Sequence, residues 1–204
     1  AFTQNDPDGN GLNDTYGSCN NPTGPFAIFL GAPNEWKYEN GEMIKDSFTE
    51  EHMQALDMTR ELYSLGAIHP EYSIHSRSQY EALWTEGKAG MYFNVNNFAQ
   101  FDMADPKAEV HVNGVFPSDK GTFTSAGTGH NGVLAISTAG LISETYNSSS
   151  ADLDALIADA ETQYIMGKIT KKQYVEQLKI WNEEVSKLQK NTPKLMLNAR
   201  VSRL

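Results

Sequence analysis

The residues from Asp6 to Asp14 constrain the backbone more than any other part of this chain. They place side-chain oxygens at positions 1, 3, 5 and 9 of a loop, with a main-chain carbonyl at position 7. Alternate residues point inward when a loop wraps an ion, and Gly11 at position 6 permits the sharp turn that wrapping requires. Because every donor is an oxygen, the spacing predicts a calcium site whose ligands are Asp6, Asp8, Asn10, Leu12 (through its carbonyl) and Asp14.

The loop departs from the complete EF-hand pattern at one ligand. Position 12 of that pattern is a bidentate glutamate, and here it is Gly17. Aspartate, asparagine and glycine also favour surface turns that bind nothing. Four side-chain donors in register with the glycine favour calcium over such a turn, and we expect the Ca²⁺ to be structural.

Composition and charge narrow the class of protein. The chain has 204 residues, 39% of them apolar, and no apolar run is long enough to cross a membrane. Its net charge of −10 is spread along the chain without a basic block, so we expect no nucleic-acid partner and no binding to anionic membranes. The single cysteine, Cys19, has no basic neighbour to activate it, so we expect a buried, inert thiol.

Capping signals predict two helices in the first half of the chain. One spans about residues 49–65, with Ser47 and Glu50 as a capping box and Gly66 just after its end. The other runs from about residue 78 to 86 and ends before Gly87. The apolar run Phe26–Leu30 fits either a short strand or a helix.

Two further helices are predicted near the end of the chain. The first covers about residues 151–166 and is followed by Gly167. The second begins with a capping box formed by Thr170 and Gln173. Its apolar residues recur at spacings of four and three and form one face, made of Tyr174, Leu178, Trp181, Val185 and Leu188.

Strand predictions fall between these helices and give an α/β chain. Residues 38–44 predict a hairpin that turns at Asn40 and Gly41, and residues 89–95, 110–116 and 132–137 predict three strands. We therefore expect an α/β lobe over residues 1–142 with the calcium loop at 6–14. A linker over 143–150, a C-terminal helical segment over 151–190 and a tail over 191–204 follow it.

Several aromatic and amide residues have the chemistry of a sugar site. Aromatic faces stack on the C–H faces of sugar rings, and amides bond to pairs of hydroxyls. The run Gly127–Gly132 matches G-x-G-x-x-G, but the predicted strand follows it, so we interpret it as a loop lining a cleft and not as a nucleotide site. The predicted ligand-binding residues are Asn34, Trp36, Tyr92, Asn94, Asn96, Asn97, Thr128 and His130.

The sequence contains none of the catalytic motifs that we considered. The histidines show no metal-binding spacing such as H-E-x-x-H, and no G-x-S-x-G elbow is present. No pair of acidic residues stands in a context that marks a glycosidase. We therefore expect binding without turnover. The alternatives are a secreted, calcium-stabilised glycan-active enzyme or carbohydrate-binding module, and a purely structural surface domain.

Four segments together resemble a family of bacterial proteins. Residues 1–17 look like the calcium loop of extracellular solute-binding proteins of ABC transporters, in the oligosaccharide-binding lipoprotein branch. Residues 62–71 are similar to that branch's LxxxGLIxPE segment, and residues 83–91 to its GKAGM segment. Residues 159–169 resemble its C-terminal helix motif, and the helix with Trp181 follows in the expected order.

The resemblance implies a fold, a ligand and a partner. The fold would be the type II periplasmic-binding-protein clam-shell, with two α/β lobes that close on the ligand by a hinge motion. The protein would be an extracellular or periplasmic monomer that delivers an oligosaccharide to an ABC permease, held at the membrane only through a lipid anchor outside this chain. Members of the branch are longer, so we expect this chain to be a fragment with mainly one lobe plus the C-terminal helices.

Overall fold

The computed structural model describes residues 3–40, 42–93, 103–111, 117–118, 121–122 and 153–191. The helices are α1 (Thr23–Leu30), α2 (Glu50–Ser64), α3 (Arg77–Thr85), α4 (residues 153–165) and α5 (Lys171–Asn191), with a 3₁₀ helix at Asp46–Phe48. The strands are β1 (Tyr16–Ser18), β2 (Trp36–Glu39), β3 (Glu42–Lys45), β4 (Ala89–Met91), β5 (Pro117–Ser118) and β6 (Gly121–Thr122). The predicted α/β class is confirmed for this part of the chain.

Strand β1 lies in the middle of a small parallel sheet. On one side it pairs with β4, with Tyr16 opposite Ala89. On the other side Ser18 forms a parallel bridge with Ile68, and its backbone N–H donates to the Ala67 carbonyl at 3.0 Å. Helices α1 and α2 precede residue 68, and α3 precedes β4, so strands and helices alternate along the chain as parallel pairing requires.

Gly17 permits the close approach between β1 and residue 67. A Cβ atom at this position would lie 2.9 Å from the carbonyl oxygen of Ala67. A side chain would therefore force the two backbones apart and break the hydrogen bond of Ser18. This packing accounts for glycine in place of glutamate at position 12 of the predicted calcium loop, because the same residue is part of the sheet.

The largest part of the core joins α2 to the two C-terminal helices. Leu56 of α2, Ile165 of α4 and Tyr174 of α5 are almost fully buried and belong to one apolar cluster, with Tyr72 at its edge. This cluster closes one side of the sheet because it also contains Ile68. The C-terminal helices thus pack directly on the α/β part of the chain.

The predicted apolar face of α5 accounts for its packing. Tyr174 is fully buried, and Leu178 and Trp181 pack against the same core. The helix begins with the predicted capping box, in which Thr170 Oγ1 accepts from the Gln173 N–H at 3.3 Å and Gln173 Oε1 accepts from the Thr170 N–H at 2.9 Å. Val185 and Leu188 lie outside the side chains that the structure describes.

A second apolar cluster surrounds Cys19. Cys19 belongs to one cluster with Trp84 and Ala89 and is 2% exposed. Burial raises the pKa of this thiol to about 11, so the group stays protonated at neutral pH. The prediction of a buried, inert cysteine is confirmed.

The start of helix α2 corrects one prediction. The Ser47–Glu50 capping box is wrong, because Ser47 belongs to the preceding 3₁₀ helix. Thr49 is the N-cap instead, and its side chain accepts from the backbone N–H of His52 at 3.2 Å. At the other end Gly66 has a φ of +70°, which confirms it as the residue that ends the helix.

The boundaries of other helices and strands differ from the predicted ones by a few residues. Helix α3 begins at Arg77, capped by Ser76 with Gln79, and the run Phe26–Leu30 belongs to helix α1. The hairpin over residues 38–44 is confirmed as β2 and β3, which pair Glu39 with Glu42. The strand predicted for 89–95 is described only as β4, and residues 110–111 are not in a strand. The predictions for residues 112–116, 132–137, 143–150 and 192–204 lie outside the described residues.

Replacing Gly17 with alanine tests the sheet contact. We expect Gly17→Ala to lower the free energy of unfolding by about 1–3 kcal/mol, because the new Cβ meets the Ala67 carbonyl and must displace it. Urea unfolding followed by circular dichroism measures the change.

Gly24→Ala is the matched control. It lies in helix α1, and nothing stands within 4 Å of the Cβ it would gain. Pro25 follows it and disfavours a helical residue that carries a Cβ, which offsets the gain in helix propensity. We therefore expect this variant to change the free energy of unfolding by less than about 0.5 kcal/mol. Equal effects of the two variants would contradict the proposed contact.

Candidate functional site

Three chain segments leave the parallel sheet at the same edge. Residues 19–21 follow β1, residues 69–73 follow Ile68, and residues 92–93 follow β4. Since the strands are parallel, all three segments lie at their carboxyl ends. Ligands of open α/β sheets bind at this edge, where the loops diverge and leave a crevice.

A cavity of about 350 Å³ occupies this edge. Helix α4 supplies its far wall, because positions 158, 161 and 162 share one helix face. The lining combines two aromatic rings with amides, hydroxyls and one carboxylate, and it contains Asn20, Asn21, Tyr72, Ser73, Tyr80, Ala158, Glu161 and Thr162. Rings that stack and polar groups that bond hydroxyls are the chemistry that carbohydrate recognition requires.

The wall of the cavity is held in place by Asn20. Its side-chain amide donates to the Phe93 carbonyl at 2.6 Å, and its Oδ1 accepts from the Phe93 N–H at 3.3 Å. Ser18 Oγ also donates to Asn20 Oδ1, at 3.0 Å. Asn20 therefore ties the ends of β1 and β4 together at the cavity.

Tyr72 contributes a buried hydroxyl to the cavity lining. Within the described part of the chain this oxygen has no hydrogen-bond partner. Burial raises the pKa of Tyr72 to about 12, and the nearby Thr162 side chain opposes this shift. A protonated hydroxyl of this kind can donate to a ligand oxygen.

Glu161 is held at the cavity by a buried charge network. One of its oxygens lies 2.8 Å from His52 Nε2, and the Tyr174 hydroxyl donates to the same oxygen at 3.4 Å. Burial by itself lowers the pKa of His52, but the hydrogen bond and charge of Glu161 outweigh it and raise this pKa above 6.5. The second ring nitrogen lies 3.9 Å from Asp46, a carboxyl whose own pKa is raised by burial.

Two of the predicted ligand residues lie away from this cavity. Trp36 is 9% exposed and packs against Leu153 and Ile157, with the Lys45 ammonium 4.9 Å from its ring centre. Asn34 is exposed, and its carbonyl accepts from the Trp36 N–H. The packing of Trp36 accounts for its burial, and the ligand role of both residues stays a prediction.

Tyr92 lies closer to the cavity. Its ring centre is 5.7 Å from that of Tyr80, which lines the cavity, and its hydroxyl donates to Glu81 at 3.0 Å. Trp84 packs on its other side at 5.4 Å. The remaining predicted ligand residues, Asn94, Asn96, Asn97, Thr128 and His130, lie outside the described residues.

The predicted calcium loop folds around the side chain of Asn10. The amide nitrogen of Asn10 donates to Asp8 at 2.8 Å and to Asp14 at 3.1 Å. Asp6 accepts from the backbone N–H groups of Asn10 and Gly11, at 3.0 and 2.8 Å, and so shapes the turn. The amide nitrogen thus stands between two carboxylates, which is where a cation of the predicted site would be attracted.

Electrostatics in the loop fit a cation-binding role. Partial desolvation and the neighbouring carboxylate of Asp6 raise the pKa of Asp8. A hydrogen bond from Asn10 and the Lys88 ammonium lower the pKa of Asp14. Lys88 lies 3.1 Å from Asp14 and anchors the loop beside β4. The donor set therefore fits Ca²⁺ once Asn10 turns its amide oxygen inward.

Sequence reasoning missed most of the cavity. The predicted ligand-binding residues do not include Asn20 and Asn21, because β1 is only three residues long and carries no alternating pattern that would mark its end. Glu161 and Thr162 sit on a helix that was predicted, but its packing on the sheet edge was not. The usable signal was the run of two asparagines directly after a short strand, at the carboxyl edge where ligands bind.

Two curated proteins of Bacillus subtilis (strain 168) are similar to this chain. It is 30% identical to lipoprotein LipO over 152 residues, which are 67% of this chain and 30% of that protein. It is 29% identical over 146 residues to the polygalacturonan/rhamnogalacturonan-binding protein YtcQ, which covers 66% of this chain and 29% of that protein. The chain thus spans less than a third of the length of either relative.

These similarities agree with the expected relation to lipoproteins and carbohydrate-binding proteins, but they do not resolve the branch. No protein-family model matches the chain, and no solved structure gives a significant match. Among the described residues, no helix has both the length and the apolar character needed to cross a bilayer.

The charge network around Glu161 predicts a pH dependence of stability. A histidine whose folded pKa lies above its unfolded value stabilises the fold fully below the unfolded pKa, and this stabilisation is lost as pH rises through the folded pKa. Because the pKa of His52 is raised, we expect the stability difference between the wild type and His52→Gln to shrink as pH rises from about 6 to 8.

Urea unfolding of both proteins across this pH range measures the effect. His111→Gln serves as the control, because His111 is largely exposed. It should leave the pH profile of stability unchanged. A difference between the wild type and His52→Gln that stays constant or grows with pH would contradict the proposed His52–Glu161 interaction.

Proposed function

We propose that this chain is part of the extracytoplasmic substrate-binding protein of an ABC importer, which binds an oligosaccharide without chemical turnover. In this proposal the described sheet and the C-terminal helices belong to a two-lobed, type II clam-shell. The whole protein is a cell-surface lipoprotein that acts as a monomer and delivers its ligand to a permease. The proposal is supported by the lining of the cavity and by the names of the similar proteins.

The observation that carries the proposal is the set of groups at the sheet edge. Tyr80 and Tyr72 provide ring faces, and Asn21, Ser73 and Thr162 provide hydroxyl and amide groups around the same cavity. Tyr72 places a buried hydroxyl beside the same cavity. A sugar presents both C–H faces and hydroxyl pairs, so it satisfies the rings and the polar groups together.

Charge at the cavity favours a neutral sugar over an acidic one. Glu161 is the carboxylate of the lining, and none of the described lining residues is basic. An incoming uronate would meet this carboxylate, and no basic side chain among the described lining residues is available to bind the uronate. We therefore propose a hydroxyl-rich, neutral oligosaccharide, or a neutral segment of a mixed polysaccharide, as the ligand of this chain.

Filling the cavity tests the proposal. We expect the purified chain to bind a member of a panel of neutral plant oligosaccharides in calorimetry, more tightly than an oligogalacturonide of the same length. Ser73→Trp should weaken this binding at least about tenfold, or about 1.4 kcal/mol, because the indole occupies ligand space. Tyr80→Phe should keep most of the affinity, because the stacking ring remains.

Ser64→Trp is the matched control, since Ser64 is an exposed serine of α2 outside the cavity lining. It should bind like the wild type. Equal affinity of Ser73→Trp and Ser64→Trp would refute the site. Release of shorter sugars during the titration, detected by chromatography, would refute binding without turnover and favour a glycan-active enzyme.

The same proposal gives the Asp6–Asp14 loop a structural calcium ion. The ion would replace the amide nitrogen of Asn10 as the group that neutralises Asp8 and Asp14, while Asp6 keeps its hydrogen bonds to the turn. It would hold the N-terminal end of β1 beside β4 through the ion pair between Asp14 and Lys88. Calcium here supplies stability, and the sugar cavity lies at the opposite end of β1.

Calcium should raise the melting temperature of the chain, and EDTA should reverse the shift. At about 100 times its dissociation constant, calcium stabilises the folded state by about 2.7 kcal/mol. Asp8→Asn removes one charge without disturbing the backbone bonds of Asp6, so it should reduce the calcium-dependent shift. Asp105→Asn, at an exposed aspartate outside the loop, should keep it. A shift that is absent in the wild type or unchanged in Asp8→Asn would contradict a calcium site at this loop.

A further inference from the structure

The turn that follows Ile68 brings two histidines and a glutamate together. His69, Glu71 and His75 each offer a ligand atom, and these atoms all lie within 4.8 Å of one another. Successive backbone bonds fold the turn, with the Tyr72 N–H donating to the His69 carbonyl at 3.1 Å and the His75 N–H donating to the Glu71 carbonyl at 3.3 Å. The spacing H-x-E-x-x-x-H differs from the H-E-x-x-H motif, so the sequence pattern did not predict this group.

We propose that His69, Glu71 and His75 form a binding site for a divalent transition metal, with Zn²⁺ as the best-fitting ion. Two imidazoles and one carboxylate provide three ligands, and water can complete the coordination of the ion. The nitrogen donors distinguish this site from the all-oxygen loop at Asp6–Asp14, which suits Ca²⁺.

The ligand atoms need only a small movement to reach one ion. Zinc bound tetrahedrally at about 2.0–2.1 Å separates its ligand atoms by about 3.3 Å. Glu71 Oε2 already lies 3.8 Å from His75 Nε2, and the ring centres of the two histidines are 4.5 Å apart. The Glu71 side chain is 64% exposed, so it can swing inward, while the His75 side chain is 9% exposed and stays fixed.

The imidazole of His75 is buried at this turn, with its Nε2 atom towards Glu71. Within the described part of the chain, the other ring nitrogen, Nδ1, has no hydrogen-bond partner. Because no described partner fixes the proton on one ring nitrogen, Nε2 can offer its lone pair to a metal.

One hydrogen bond must be exchanged when the metal binds. In the present arrangement His69 Nδ1 accepts from the backbone N–H of Glu71 at 3.1 Å. A metal at Nδ1 displaces this hydrogen bond directly. A metal at Nε2 requires the imidazole proton to move to Nδ1, and a protonated Nδ1 can no longer accept the hydrogen bond. Binding therefore replaces a single neutral hydrogen bond with three metal–ligand bonds.

The site lies in the wall of the cavity but does not depend on the sugar proposal. Tyr72 and Ser73 fall between Glu71 and His75 and line that cavity. The metal would stabilise the turn that carries Tyr72 and Ser73. Zinc binding can be measured without any sugar, so failure of one proposal leaves the other untouched.

Calorimetric titration of the EDTA-treated chain with zinc chloride tests the site. We expect one zinc ion per chain, and we expect His75→Gln and His69→Gln each to weaken binding at least about tenfold. Glu71→Gln, at an exposed side chain that leaves the fold intact, should weaken binding as well. Excess calcium should not displace the zinc, and Asp8→Asn should bind zinc like the wild type.

His111→Gln is the matched control. His111 lies 3.6 Å from Glu109, so it forms an exposed histidine–carboxylate pair for which the described residues supply no third ligand. It should leave zinc affinity unchanged. Circular dichroism confirms that each variant is folded before titration. Zinc binding that is absent in the folded wild type, or unaffected by both Glu71→Gln and His75→Gln, would overturn the proposal.

Discussion

The close approach of strand β1 to the backbone at residue 67 is the contact on which the other described features depend. Gly17 allows it, because any Cβ there would meet the Ala67 carbonyl. With β4 on its other side, β1 orders three parallel segments, so their following loops reach one edge together. The proposed calcium loop directly precedes this strand, and the cavity lies at the carboxyl end of the strand.

The buried network of Glu161 connects this sheet edge to the rest of the core. His52 of α2 and Tyr174 of α5 both contact the Glu161 carboxylate, and Glu161 also faces the cavity. A buried carboxylate is costly unless it is paired, so the position of α4 is specified by charge as well as by apolar packing. The same residue thus secures the helix and gives the cavity its negative charge.

Local sequence signals predicted the positions of the helices well and their tertiary contacts poorly. The Thr170–Gln173 capping box and the apolar face of α5 act within a few residues, so they could be identified from the chain itself. The start of α2 was misplaced because Ser47 and Thr49 are both good caps, and the 3₁₀ helix before Thr49 decided between them. Trp36 was predicted to contact a ligand, and its burial against α4 depends on helices far away in the sequence.

By itself, the sequence determined the α/β class, the helices, the hairpin at Asn40 and the donor spacing from Asp6 to Asp14. These properties depend on backbone propensity and on residues close together in the chain. Only the tertiary structure decided which loops share the carboxyl edge of the sheet. It also placed Glu161 beside His52 and gathered His69, Glu71 and His75. Such groupings depend on long-range packing, which short sequence patterns do not encode.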